Sequence, residues 1–374
     1  MWQLVKFEVQ KLLSKKMVWA CLLGMAFMIC AMIANWVYPG EVRVRYFQDG
    51  ELITLEGTEA IRFSQAIAEK YGGLLTDEKV QAVLAEYRMK EEDMIENHMD
   101  PTREGYYIHN FLYDSFRDFY QGDGTYNGAG ITEVYGELAE SLTVGFSSGW
   151  VNLIYAMIYT LLSLGCVLTI ILAPLFAEEY TRGMDALILT GAYGKTKCAW
   201  AKIMAGFLVS MGLMAVHILI FTVVYLCFYG FDGWNASIQI NDLGVFMDVP
   251  YLMSCGQGLL YALLLWFTAG LILTGMSILI SAWAKSAFNS LIISFALFVV
   301  PLFLPWNYMG ILKIPAKFFP ILQMQLSDLF EAPLLETGKW QINFMWLTVP
   351  IALIAAAVCG IGSRRIFARH QVTG

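Results

Sequence analysis

The sequence predicts an all-α polytopic membrane protein with six transmembrane helices, an N-terminal amphipathic helix and a small, mostly helical α+β extracellular domain. Three observations carry that expectation. Of 374 residues, 58% are hydrophobic and 15% charged, against roughly 25% charged in an ordinary soluble domain. The apolar residues gather in six blocks without Asp, Glu, Lys or Arg: 17–38, 150–176, 203–231, 251–284, 286–312 and 340–362. Each exceeds the roughly 20 residues that cross a hydrocarbon core. Finally, the basic residues concentrate at alternate ends of these blocks, as the positive-inside bias requires.

Residues 1–16 form the first element. In "MWQLVKFEVQKLLSKK", Trp2, Leu4 or Val5, Val9, Leu12 and Leu13 share one side, and Lys6, Lys11, Lys15 and Lys16 supply charge. That spacing is an amphipathic helix. The first span, 17–38, is too long for a signal-peptide core, and "NWVYPG" has no small-x-small cleavage site. Arg182, Lys195, Lys197 and Lys202 lie between the second and third spans, Lys285 between the fourth and fifth, and Arg364, Arg365 and Arg369 after the sixth. The 232–250 loop carries Asp232, Asp242 and Asp248 and no base. Both termini are therefore expected in the cytoplasm of a cell-membrane protein. The 313–339 loop, with Lys313, Lys317 and Lys339, weakens the bias without reversing it.

This topology puts residues 41–149 outside. The stretch holds 21 acidic and nine basic residues, a net charge of −12, which argues against nucleic acid or anionic lipid as its partner. The seven cysteines, at 21, 30, 166, 198, 227, 255 and 359, all lie in or beside spans. An external domain without disulfides suits a bacterial surface better than an animal one.

Within this domain, "VRVRYFQDGELITLEG" alternates around Asp49-Gly50, a strong hairpin signal. Thr58 is placed to cap a helix ending at Gly72-Gly73, and Thr76 a longer one from Asp77 to about Met99, stopped by Asp100-Pro101. "GYYIHNFLYDSFRDFYQ" reads as a helix with an aromatic face, and a last helix is expected over about 131–142. "DGTYNG" puts Asp123, Thr125, Asn127 and Gly128 at calcium-loop positions, but Val134 stands where a bidentate Glu belongs, so a plain turn is the reading. His98, Asp100, His109 and Asp114 match no zinc spacing. His217, alone in the third span, reads as a packed, hydrogen-bonded histidine. No metal, cofactor or catalytic constellation emerges.

Gly194-Lys195-Thr196 ends like a nucleotide-binding P-loop, yet Leu189 occupies the position of its first glycine. The stretch between the spans is also too short for the parallel sheet that such a loop requires. ATP hydrolysis by this chain is not expected.

"LFAEEYTRGMDALILTGAYGKTKCAWAK" reads instead as a docking hairpin over 176–202, with a charged turn, Gly183, an apolar ridge at Ala186, Leu187 and Leu189, and a second turn. It resembles the cytoplasmic loop of type-2 ABC transporter permeases, with Glu178, Glu179, Gly183, Leu187 to Thr190, Lys195 and Lys202 at the matching positions. Met184 stands where Thr is common, and Ala192-Tyr193 replaces a Pro-containing turn. The order of amphipathic helix, first span, large external insertion and five further spans, here 150–374, also follows that family.

The resemblance implies a permease subunit of an ATP-driven exporter. A separate ABC ATPase would dock at Glu178, Glu179, Arg182, Gly183, Leu187 and Lys195, and a second permease subunit would complete a path for an amphipathic, lipid-like or peptide substrate. It also implies that the second and fifth spans flank that path. Asn152, Tyr155, Tyr159, Ser163, Cys166 and Thr169 align on the second span at steps of three and four; Ser290 and Ser294 lie on the fifth. On the fourth, Gly270, Thr274, Ser277 and Ser281 form a small-residue face of the kind that packs helices. No span is expected to contain a buried ionised residue, so a proton- or sodium-coupled relay of carboxylates is not expected. The rival reading is a membrane receptor or sensor whose acidic external domain binds a peptide. An intramembrane enzyme would need paired Asp, Glu or His, which no span offers.

Overall fold

The computed structural model describes residues 1–48, 50–100, 103, 105–107, 111–240, 249, 251–308, 310–326, 335–337, 340–342 and 344–370. The chain forms two compact units, one of residues 1–32, 157–220 and 261–374, the other of residues 33–156 and 221–260. The structure is predominantly helical, with three two-stranded antiparallel sheets among the described residues.

Among the described residues, five helices are long and apolar enough to cross a membrane: Lys16–Val37, Ser148–Thr181, Gly194–Tyr229, Cys255–Trp283 and Trp346–Arg369. The fifth expected span differs. It is a 13-residue helix, Ala287–Val299, followed by a 3-10 turn over Val300–Phe303. Pro301 lacks the amide that would continue the ladder, so the α-helix ends there. At 1.5 Å per residue the α-helical part covers only about 20 Å of a hydrocarbon core about 30 Å thick. The last apolar block also begins differently: Trp340–Ile342 pairs with Leu335–Thr337 as a short hairpin, and the helix starts at Phe344.

The first unit is held by apolar packing where the N-terminal helix, Trp2–Leu13, meets the membrane helices. Val5 and Leu12 are buried with Leu172, Phe176, Leu189, Ile203, Ile278 and Phe367. The small face of the fourth span is a packing seam: Thr274, Ser277 and Ser281 are fully or almost fully buried. A Cβ at Gly270 would stand 2.1 Å from the sulfur of Met214, so any larger residue there would displace the ends of Met214 and Met211 on the third span. His217 is buried with Nε2 2.9 Å from Thr160 Oγ1.

In the second unit the expected hairpin is present. Strands Arg43–Gln48 and Glu51–Glu56 pair with Gln48 opposite Glu51, leaving a two-residue turn with Gly50 at φ +84°. Such a turn needs the positive φ that glycine adopts without strain. Asp49 lies outside the described residues, as do Pro101, His109, Asp242, Asp248 and Lys339. Thr76 caps as expected, its Oγ1 accepting from the Lys79 amide at 3.3 Å. Thr58 does not: it is the first residue of helix Thr58–Tyr71, and Gly57 holds the cap position.

The long helix expected over 77–99 is broken. It ends at Tyr87, Arg88 turns extended, and a short helix follows over Glu91–Glu96. The break buries Met89, Met94 and Met99 together against Phe47, Leu52 and Tyr106, and the Met89 amide donates to the Tyr106 carbonyl at 2.8 Å. A straight helix would leave those methionines on different faces, so burial overrides local propensity. The helix expected over 131–142 similarly gives way at Gly136, φ +58°, to a 3-10 segment, Gly136–Ser141.

"DGTYNG" is a turn stabilised by its own side chains. Asp123 Oδ1 accepts from the Thr125 amide at 2.9 Å and its hydroxyl at 2.6 Å, and Asn127 Oδ1 accepts from the Ala129 amide at 2.9 Å. The hydrogen bonds from Thr125 hold the Asp123 carboxyl below its ordinary range.

Candidate functional site

The stretch between the second and third long helices is built on a break at Pro174. The helix Ser148–Leu172 stops, and Pro174–Thr181 resumes after Ala173. Proline removes one amide and disturbs the carbonyl four residues back, which inside a packed bundle would leave backbone groups unpaired. Ser281 of the fourth span fills the gap. Its hydroxyl donates to the Ala173 carbonyl at 2.7 Å and accepts from the Phe176 and Ala177 amides at 2.9 and 3.2 Å. The resumed helix is thereby fixed in place.

Two carboxylates at its end meet the N-terminal helix. Glu179 is 3% exposed and Lys202 only 1%. Lys202 Nζ lies 2.7 Å from Glu179 Oε1 and 3.0 Å from Glu8 Oε2, while Lys11 Nζ is 2.5 Å from Glu179 Oε1. Glu178 takes Lys15 and, at 2.6 Å, Arg182 of the next turn. Lys202 and Lys11 thus face Glu8 and Glu179, and this set is neutral. Charges taken out of water persist only when paired this closely. The ionised groups expected only outside the spans continue, at this end, into the protein interior.

Glu178 and Glu179 therefore have partners within their own chain. Glu8, Lys11 and Lys15 are the residues of the site that spacing along the hairpin did not reveal. One local signal points to Glu8: it falls on the same helical side as Val5 and Leu12, at steps of three and four, and a carboxylate on an apolar side requires a cation.

Beyond the charges, Gly183 turns the chain at φ +65° into the short helix Asp185–Thr190. The ridge expected at Ala186, Leu187 and Leu189 divides. Leu189 points into the core with Val5 and Leu12, whereas Leu187 is 68% exposed and is joined on the surface by Met184 and Tyr193. Asp185 is buried, with Oδ2 3.2 Å from His370 Nε2, which ties the hairpin to the end of the last helix.

Gly194-Lys195-Thr196 has none of the geometry of a phosphate cradle. The Gly194, Thr196 and Cys198 amides donate to the Gly191 and Tyr193 carbonyls, at 3.0–3.2 Å, instead of converging on an open anion site. A Cβ on Gly194 would sit 1.7 Å from the Ile188 carbonyl oxygen, so glycine there serves the closure of the hairpin. Lys195 is exposed, and Lys197 lies over the Tyr193 ring at 4.0 Å.

Of the remaining candidates, Asn152, Tyr155 and Ser163 are half-buried and Tyr159 is exposed, so this side of the second span keeps an accessible polar surface. Tyr155 packs on Trp36 with ring centres 5.8 Å apart. Ser290 and Ser294 instead lie on the buried side of helix Ala287–Val299, with no hydrogen-bond partner for either hydroxyl among the described residues. No group of His, Cys, Asp and Glu with metal-site geometry occurs among the described residues.

No curated protein and no solved structure matches the chain. The family model described as "ABC-2 family transporter protein" matches residues 2–332, a span that takes in the N-terminal helix, the ion-paired hairpin and most of the apolar helices. The chain belongs to the ABC-2 family of transporter proteins.

Proposed function

We propose that this chain is the membrane-spanning subunit of an ATP-driven exporter, and that the 176–202 hairpin is where a separate ABC ATPase docks. The observation that carries the reading is a division of labour within the hairpin. Its inner face is fixed to the N-terminal helix by buried ion pairs, and its outer face shows Met184, Leu187 and Tyr193 to solvent. An apolar ridge on a rigid support suits a partner groove, as in helix-in-groove recognition. Glu178 and Glu179 act in docking by holding that support, with Arg182, Gly183 and Lys195 shaping its exposed rim.

Membership of a family of membrane transport components supports the permease role. In this reading both termini and the hairpin are cytoplasmic, and residues 41–149 are external. The accessible stripe of Asn152, Tyr155, Tyr159 and Ser163 faces the path, which a second permease subunit completes. The substrate is amphipathic, lipid-like or peptidic.

The test is extraction of the full chain in mild detergent with whatever ATPase subunit it binds. Leu187→Asp puts a charge where the partner groove is apolar, and should lower ATPase recovery about tenfold or more with normal membrane insertion. An unaltered chain that brings down no ATPase, or a Leu187→Asp chain that recovers it fully, would refute hairpin docking.

A further inference from the structure

The first unit carries an open, almost wholly apolar groove of 620 Å³ along the third span, bounded by Trp200, Phe207, Met211, Leu271, Gly360 and Ile361. Its floor is Ile203 and Gly360, both buried; its rim includes Met204, Leu208 and Ile361, all more than 40% exposed. From Trp200 to Met211 the groove follows about eleven helical steps, about 17 Å, which is about half of a hydrocarbon core roughly 30 Å thick. It is therefore one leaflet deep.

Its mouth has a different chemistry. Arg364, one turn beyond Gly360, places its guanidinium 5.9 Å from the centre of the Trp200 ring, and Arg365 follows it, exposed. Among the described residues no carboxylate pairs with Arg364. Tryptophan and arginine at the end of an apolar helix are the groups that sit at headgroup level. Arginine's planar fork also matches the oxygens of a phosphate.

We propose that this groove binds one acyl chain of an anionic membrane phospholipid, with the phosphate held at Arg364 beside Trp200. The depth of the groove, its lack of polar lining and the single-sign charge at its mouth together specify that occupant. A protein helix would need a longer groove, and a zwitterionic lipid would bring its own cation against Arg364. Gly360 makes the groove: a Cβ there would lie 3.6 Å from Ile203 Cγ2 and 4.0 Å from the Trp200 ring, so a longer side chain occupies the volume the lipid needs.

The experiment uses the full chain in vesicles of equimolar phosphatidylglycerol and phosphatidylcholine with identical acyl chains. After mild extraction, retained lipid is counted by native mass spectrometry, and a photoactivatable phosphatidylglycerol maps the contact. Retention should favour the anionic lipid about fivefold, the effect of one basic side chain at headgroup level. Crosslinks should fall within 200–211 and 356–361. Arg364→Gln should abolish the preference, and Gly360→Leu should remove retention of both lipids. Ala357→Trp, at an exposed rim position, fills the same groove from outside and guards against misfolding of the glycine variant. Equal retention of the two lipids by the unaltered chain would overturn the proposal. So would crosslinks confined to other helices, or an anionic preference that survives Arg364→Gln.

Discussion

Lys202 illustrates how a single residue is governed by its surroundings. It is almost fully buried between Glu8 and Glu179, where an unpaired ammonium would be too costly to keep. Lys202→Met fits the volume but leaves Glu8 without a cation, while Glu179 keeps Lys11. Breaking a buried pair in this way costs roughly 3–5 kcal/mol. The thermal midpoint of the detergent-solubilised variant should fall clearly below that of the unaltered chain. Adding Glu8→Gln and Glu179→Gln to Lys202→Met should recover part of the loss, because the one charge then left, Lys11, is 35% exposed at its side chain and reaches water. An unchanged midpoint for Lys202→Met would mean that water reaches the cluster.

Among the elements, the broken second span is the one whose geometry bears on function. The resumed helix Pro174–Thr181 has Ala173 at its N-cap and no side chain of its own to cap its start. Ser281, from another span, instead satisfies three backbone groups around Pro174. Removing that hydroxyl should loosen the hairpin without unfolding the bundle. Ser281→Ala leaves two buried donors and an acceptor unpaired, at roughly 1–3 kcal/mol for such a group. Hydrogen exchange at the Phe176 and Ala177 amides should therefore accelerate about tenfold, with exchange in helix Thr58–Tyr71 unchanged. Uniform acceleration, or none, would show that the seam does not act locally.

For the molecule as a whole, topology is the property on which the exporter reading rests. Single cysteines replacing Glu91 and Lys195, both exposed, on a background without the native cysteines, should react with an impermeant thiol reagent from opposite sides of the membrane. Glu91→Cys should label in intact cells and Lys195→Cys only after the membrane is opened. Labelling of both from outside would reverse the assignment of the hairpin to the cytoplasm and remove the ATPase from its reach.

The apolar helices, the hairpin around Gly50 and the Thr76 cap were legible in the sequence, since each depends on residues adjacent along the chain or repeating at a helical or strand period. The 176–202 hairpin was marked in the same way, through charge, glycine and apolar residues in close succession. The break at Arg88 was not, because burying Met89, Met94 and Met99 together depends on Phe47, Leu52 and Tyr106 from elsewhere in the chain. Nor was the pairing of the charges: Lys11 meets Glu179 across 168 positions, and Lys202 meets Glu8 across 194. Local pattern records which residues are charged or apolar. Which of them lose water together is set by packing, and in a low-dielectric interior that loss dictates the partners.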